Sequence, residues 1–139
     1  MVEKKYYTAG EGKHRVELLV SVTGDGLVVQ LFGGERTHVG AAALSLPRPS
    51  LRDPGVMSCN TIVIPLLGHK DDEIAKPVAE RIAVVCGKPV LVVAGMHVYN
   101  AGPEDVEALV KNSHEAARML IDSLTRAEKE SGVRSQKSE

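Results

Sequence analysis

Aromatic residues make up only 3% of this 139-residue chain, with one Phe, three Tyr and no Trp. That scarcity excludes a stacked-ring platform for single-stranded nucleic acid and leaves the core to Val, Leu, Ile and Ala. Charge of one sign is also lacking: 17 Lys and Arg stand against 18 Asp and Glu, a formal net charge of −1. The basic residues are scattered, with no run that could track a phosphate backbone, so no nucleic-acid partner is expected. Only two cysteines occur, Cys59 and Cys86, both in apolar segments and without C-x-x-C spacing. They read as reduced, buried thiols of a cytoplasmic protein, with a disulfide between them as the alternative. No apolar run reaches the ~18 residues that span a bilayer, and the N-terminus lacks an apolar signal-peptide core, so no membrane association is expected.

What is present describes an ordinary globular chain, 43% hydrophobic and 25% charged, of a length that suits one core. The expected organisation is a polar lead over 1–13, a single domain over 14–126 and a flexible charged tail over 127–139, where apolar content runs out.

Val16 to Val22 is rich in β-branched and aliphatic residues and reads as a strand. Thr23-Gly24-Asp25-Gly26 supplies hairpin-turn chemistry, with Leu27 to Phe32 as the returning strand. Gly33-Gly34 breaks that strand, and Val39 to Leu46 is a third. Residues 47–55 hold three prolines and read as a loop; residues 57–67 form a fourth strand with Pro65 near its end. Ile74, Val78, Ile82 and Val85 fall on one face of a helix over 71–86, with Asp71 or Asp72 as its cap and Pro77 implying a kink or a late start. Lys88 to Ala94 is a short, continuously apolar central strand. The stripe Val106, Leu109, Val110, Ala117, Leu120, Ile121 and Leu124 predicts a helix from about Pro103 to Ala127. The expected fold is α+β: a mixed sheet of about five strands, in the order ββββαβα, covered by two helices.

Three of the five histidines stand beside glycines where an apolar run gives way to a loop: His38 after Gly33-Gly34, His69 after Gly68, and His97 in Gly95-Met96-His97. Imidazole binds metals and exchanges protons near neutral pH, so this repeated setting suggests a built site. The segment 57–67, 71–86, 88–94 reads as a strand–helix–strand crossover, which joins parallel strands. His69 and His97 then emerge at the same carboxyl edge, where open α/β sheets bind ligands. His38 joins them if the first hairpin points the same way, a direction the sequence leaves open.

In order, TGDGLVVQLFGGERTHVGAAAL, IPLLGHKDDEIAKPVAERIA and KPVLVVAGMHVYNAGPEDVEALVKN resemble the small D-type subunit family of gallate decarboxylase, the prenylated-flavin chaperone-like domains, over about residues 14–125. That family is similar in fold to the proteasome assembly chaperones. The resemblance implies a non-catalytic protein that binds prenylated FMN, passes it to a UbiD-type decarboxylase and self-associates as a homodimer. On that footing Gly33 and Gly34 offer backbone N–H groups to the flavin phosphate, beside the donors Arg36 and Thr37. His38, Gly68, His69, His97 and Asn100 complete the cofactor-binding set. A divalent metal held by His38, His69, His97 and Asp71 could bridge to the phosphate, Asp71 or Asp72 alternatively orienting a ligand.

Taken singly, a glycine pair is most often a turn, a loop histidine a capping residue, and Asp71-Asp72 a helix cap favoured by the helix dipole. Two other functions compete. One is a pure protein-interaction chaperone with an apolar docking surface and no small ligand. The other, ranked last, is a metal-dependent hydrolase using the three histidines, for which no complete catalytic motif is present.

Overall fold

The computed structural model describes residues 2–66 and 71–137, with residues 131–137 as helical backbone only. Six strands form one mixed sheet: β1 (Glu3–Ala9), β2 (Val16–Val22), β3 (Leu27–Gly34), β4 (Arg36–Pro49), β5 (Met57–Pro65) and β6 (Val90–His97). Two helices, α1 (Asp72–Cys86) and α2 (Pro103–Lys137), complete the α+β fold, and a single 3-10 turn, Gly12–His14, links β1 to β2. The strand order is β1-β2-β3-β6-β4-β5.

β1 is one strand more than the sequence reading expected, and it occupies most of the supposed polar lead. Its residues, EKKYYTA, pair antiparallel with β2. Charged side chains hid the strand, yet they suit a sheet edge, where lysine discourages pairing with another chain.

β3 runs parallel to β6, and β4 lies antiparallel to both β6 and β5. β5 and β6 therefore run in the same direction, as the crossover requires, but β4 is inserted between them. Four strands, β1, β3, β5 and β6, thus end at one edge of the sheet.

β4 begins before Val39 and continues past Leu46, taking in Pro47 and Pro49, which the sequence reading had assigned to a loop. The reason lies in the pairing. Contact with β6 stops at Ser45↔Val90, while pairing with β5 continues to Pro49↔Met57. One side of β4 then has no partner strand, and a proline nitrogen turned to that side forfeits no ladder bond. The loop shrinks to the segment between Ser50 and Val56, closed by Ser50 N–H to Val56 O at 2.7 Å.

α1 starts at Asp72 with Pro77 inside it, so there is no late start; Pro77 faces solvent. α2 runs through Lys137 rather than ending near Ala127. Glu, Lys, Arg and Gln, which dominate that extension, are good helix formers.

Both helices lie on one face. Val16, Leu18, Val20, Val29, Leu31, Ala41, Ala43, Val90, Val92 and Ala94 point toward them and are buried with Ile74, Val78, Ile82, Ala117 and Leu120. Each fully buried aliphatic side chain contributes roughly 1.5–3 kcal/mol relative to exposure. Among the described residues, the opposite face carries no helix. Cys59 and Cys86 are free and half-buried rather than fully buried. Burial raises the pKa of the Cys86 thiol.

Candidate functional site at the carboxyl edge

β6 ends at His97, and the chain wraps around that end. Gly34 pairs with His97 on one side, and Arg36 pairs with it on the other, so the turn between β3 and β4 passes over the tip of β6. Gly34 sits at φ +81°, where an added Cβ would overlap the carbonyl of His97, so only glycine suits the position. Glu35 N–H then donates to His97 O at 2.7 Å.

These bonds bear on the backbone N–H groups of the Gly33-Gly34 turn. Gly34 N–H donates to Arg15 O at 3.1 Å, Glu35 N–H is spent on His97, and Gly33 lies in the ladder opposite Val16. The glycines let three segments crowd together; Arg36 and Thr37, both exposed, are the donors the turn presents.

Past the turn, β4 departs from regular pairing with β6. Thr37 faces Met96 and Ala41 faces Ala94, so residues 38–40 stand opposite Gly95 alone. Such a bulge re-aims side chains. Here it directs His38 at the start of α1, where its Nε2 lies 2.9 Å from Asp71 Oδ2. Asp71 Oδ1 accepts the N–H of Met96 at 3.1 Å. The Asp71 side chain is only 6% exposed, and both its oxygens are occupied. A carboxylate only accepts, so His38 carries a proton on Nε2 in this arrangement. Gly40 makes the approach feasible, because a Cβ there would overlap Asp71 Oδ2.

The capping role expected of Asp71 is therefore not what its side chain does: it makes no cap hydrogen bond. Its carboxylate instead ties the β4 bulge, the start of α1 and the end of β6 together. Through this bond Asp71 orients the His38 ring. Among the described residues, no three His, Cys, Asp or Glu side chains converge as a metal requires. Gly68 and His69 lie outside the described residues.

His97 is exposed, on the face of the sheet away from the helices. Its neighbour Met96 points the other way, buried beneath α2, where Ser113 Oγ donates to its sulfur at 3.7 Å. Opposite residues of paired strands share a face, so Arg36 accompanies His97. Tyr99 stands edge-on to His97, ring centroids 5.2 Å apart and planes at 85°. Asn100 follows at φ +52°, a left-handed position that asparagine tolerates. Tyr99 had not been singled out from the sequence; its place two residues beyond the Gly-x-His exit was the available signal.

His14, which has no glycine-turn setting in the sequence, comes to the same edge through the 3-10 turn. Its Nε2 lies 2.7 Å from Asp105 Oδ1 near the start of α2. Asp105 also meets Lys13 at 3.2 Å and accepts the N–H of Gly102 at 2.9 Å. The His14 contact, then the Gly102 N–H and Lys13, hold the Asp105 carboxyl down at about 2, against an ordinary 3.8. His114 belongs elsewhere: Arg81 of α1 donates to its carbonyl at 3.0 Å, an interhelix clamp, and burial followed by the Arg81 charge lowers its pKa.

Arg36 is exposed and makes no ion pair or side-chain hydrogen bond among the described residues, and two rings stand beside it. A proteasome assembly chaperone has the same fold: the crystal structure of a chaperone complex for yeast 20S proteasome assembly matches with a TM-score of 0.51 at 18% identity, covering 90% of this chain and 96% of that one. No curated protein matches. The family model for the prenylated flavin chaperone LpdD-like domain matches residues 10–125, which takes in the wrapped strand end, the bulge and the Asp71 node, and the chain belongs to that family.

Proposed function

We propose that this protein is a non-catalytic accessory factor that binds prenylated FMN at the carboxyl edge of its sheet and delivers it to a UbiD-type decarboxylase. The observation that carries the reading is the family match over residues 10–125; it is supported by a sheet edge where Arg36 pairs with His97 on the helix-free face while His38 turns to Asp71 on the helix side. Arg36 and Thr37 would bind the flavin phosphate, while Asp71 fixes the His38 ring. A divalent metal on His38, His69 and His97 is part of the proposal. The half-buried free thiols suit work in the reducing cytoplasm. Among the described residues, no helix is long and apolar enough to cross a membrane.

A second reading, a protein-interaction chaperone with no small ligand, is favoured by one observation: the helix-free face of the sheet exposes Ile62, Ile64, Leu46, Val28 and Leu19. Contiguous apolar surface of this kind marks docking sites. In the first reading the same face serves homodimer formation.

Native mass spectrometry separates the two. The protein is co-expressed with a flavin prenyltransferase and purified without oxygen or chelator. A bound mass of prenylated FMN, with or without a metal ion, is the expected result. Clean apo-protein under those conditions overturns the flavin reading in favour of the interaction chaperone.

A further inference from the structure

We propose that Tyr99, with His97, forms the ring-binding corner of the site, taking the planar face of a flavin mononucleotide whose phosphate arm reaches Arg36. The inference rests on the flavin-binding reading and deepens it, because neither the family match nor the sequence pattern assigns Tyr99 a role.

Of the four aromatic residues, Tyr6 donates to Glu17 at 2.6 Å near the β1 edge and Tyr7 packs against the core. Phe32, half-buried opposite Gly95, lies on the face of His97 near the same edge. Tyr99 stands at the carboxyl edge, 55% exposed. Single exposed apolar residues need no explanation, but this one is held in place. Tyr99 N–H donates to Glu35 Oε1 at 3.0 Å, and the backbone of Glu35 is itself bonded to His97. His97 is paired on both sides, by Gly34 and by Arg36. One turn, residues 34–36, thus fixes both ring-bearing segments and also carries the exposed cation.

Two rings at 85° meet in a T-shaped contact. A third planar ring laid on one of them meets the edge of the other, the two aromatic geometries that the ring quadrupole favours. Fixing the corner in advance lowers the ordering cost of binding. A planar ring answers the corner and an anionic arm answers Arg36, and a flavin mononucleotide has both.

The test is a titration of the full-length protein with FMN, followed by flavin fluorescence, which an electron-rich phenol ring quenches on stacking. Prenylated FMN occupancy is read in parallel by native mass spectrometry. For wild type, saturable quenching is expected. Tyr99→Ala should lose the quenching and bind roughly 10-fold or more weakly, the loss of one stacking face, with thermal midpoint unchanged because the side chain is exposed. Tyr99→Phe should bind as wild type does, since a ring without the hydroxyl still stacks. If Tyr99→Ala binds flavin with wild-type affinity and quenching, the ring corner is overturned while the flavin reading stands. If wild type takes up neither FMN nor prenylated FMN, the flavin reading falls and the corner falls with it.

Discussion

A methyl group at position 40 would fall on Asp71 Oδ2, the oxygen that meets His38. Gly40→Ala must therefore displace a buried carboxylate from both its partners, and overpacking of this kind costs on the order of 1–3 kcal/mol. If the cost arises from that carboxylate, it should shrink in an Asp71→Ala background, where the oxygens are gone. Chemical denaturation of the four proteins in the cycle measures the coupling. Equal costs of Gly40→Ala with and without Asp71 would show that the glycine serves only the local backbone. The glycines flanking the histidines were legible as markers of close approach, but what approached was not. Spacing cannot reveal that Asp71 turns away from its own helix to Met96 and His38, because both contacts span distant parts of the chain. The N–H groups of Gly34 and Glu35 were likewise consumed by strands whose adjacency depends on the sheet order.

At the level of elements, the 3-10 turn and α2 meet through one carboxylate. Asp105 faces His14 and Lys13 from the turn, and the Gly102 N–H just before its own helix. Its folded pKa, about 2, lies below the ordinary 3.8. A depressed carboxyl stabilises the fold fully above the unfolded value, and that contribution is lost as pH falls through the folded one. The clamp should therefore hold above about pH 4 and weaken between there and pH 2. Thermal midpoints of wild type should fall across that window more steeply than those of Asp105→Asn, which has nothing left to protonate; parallel curves would remove Asp105 from the acid response. Periodicity disclosed five of the strands and both helices, since each has a face or a run that reports burial. It missed β1, whose charges suit an edge, and the far end of β4, whose prolines are tolerated only because β6 stops short of them. Those are facts of neighbourhood, and neighbourhood is absent from a local pattern.

For the whole molecule, the unequal covering of the sheet is the dominant property. α1 and α2 bury one face, while the other presents Val28, Phe32, Leu91, Val93, Ala42, Leu44, Leu46, Ile62 and Ile64, with Ile62 and Ile64 57% and 67% exposed. Strands about 4.8 Å apart and rising about 3.3 Å per residue make this face roughly 25 Å on a side, or about 600–700 Å². A standard interface buries about 800 Å² per partner, so one further sheet face would cover it. A second copy supplies a matching apolar face, and two-fold packing sets like against like. Charge on the face lies toward its margins, Lys4 and Glu17 on β1–β2, Arg48 near the end of β4 and Arg36 at the carboxyl edge, leaving Ala42, Leu44, Ile62 and Ile64 as an uncharged stretch between them. Wild type should therefore sediment as a dimer at micromolar concentration. Ile62→Asp combined with Ile64→Asp, which places two carboxylates on that apolar surface, should sediment as a folded monomer with unchanged far-ultraviolet circular dichroism. A wild-type monomer at the same concentration would overturn self-association through this face and leave the exposed sheet to a different protein partner, the docking surface that the interaction-chaperone reading requires.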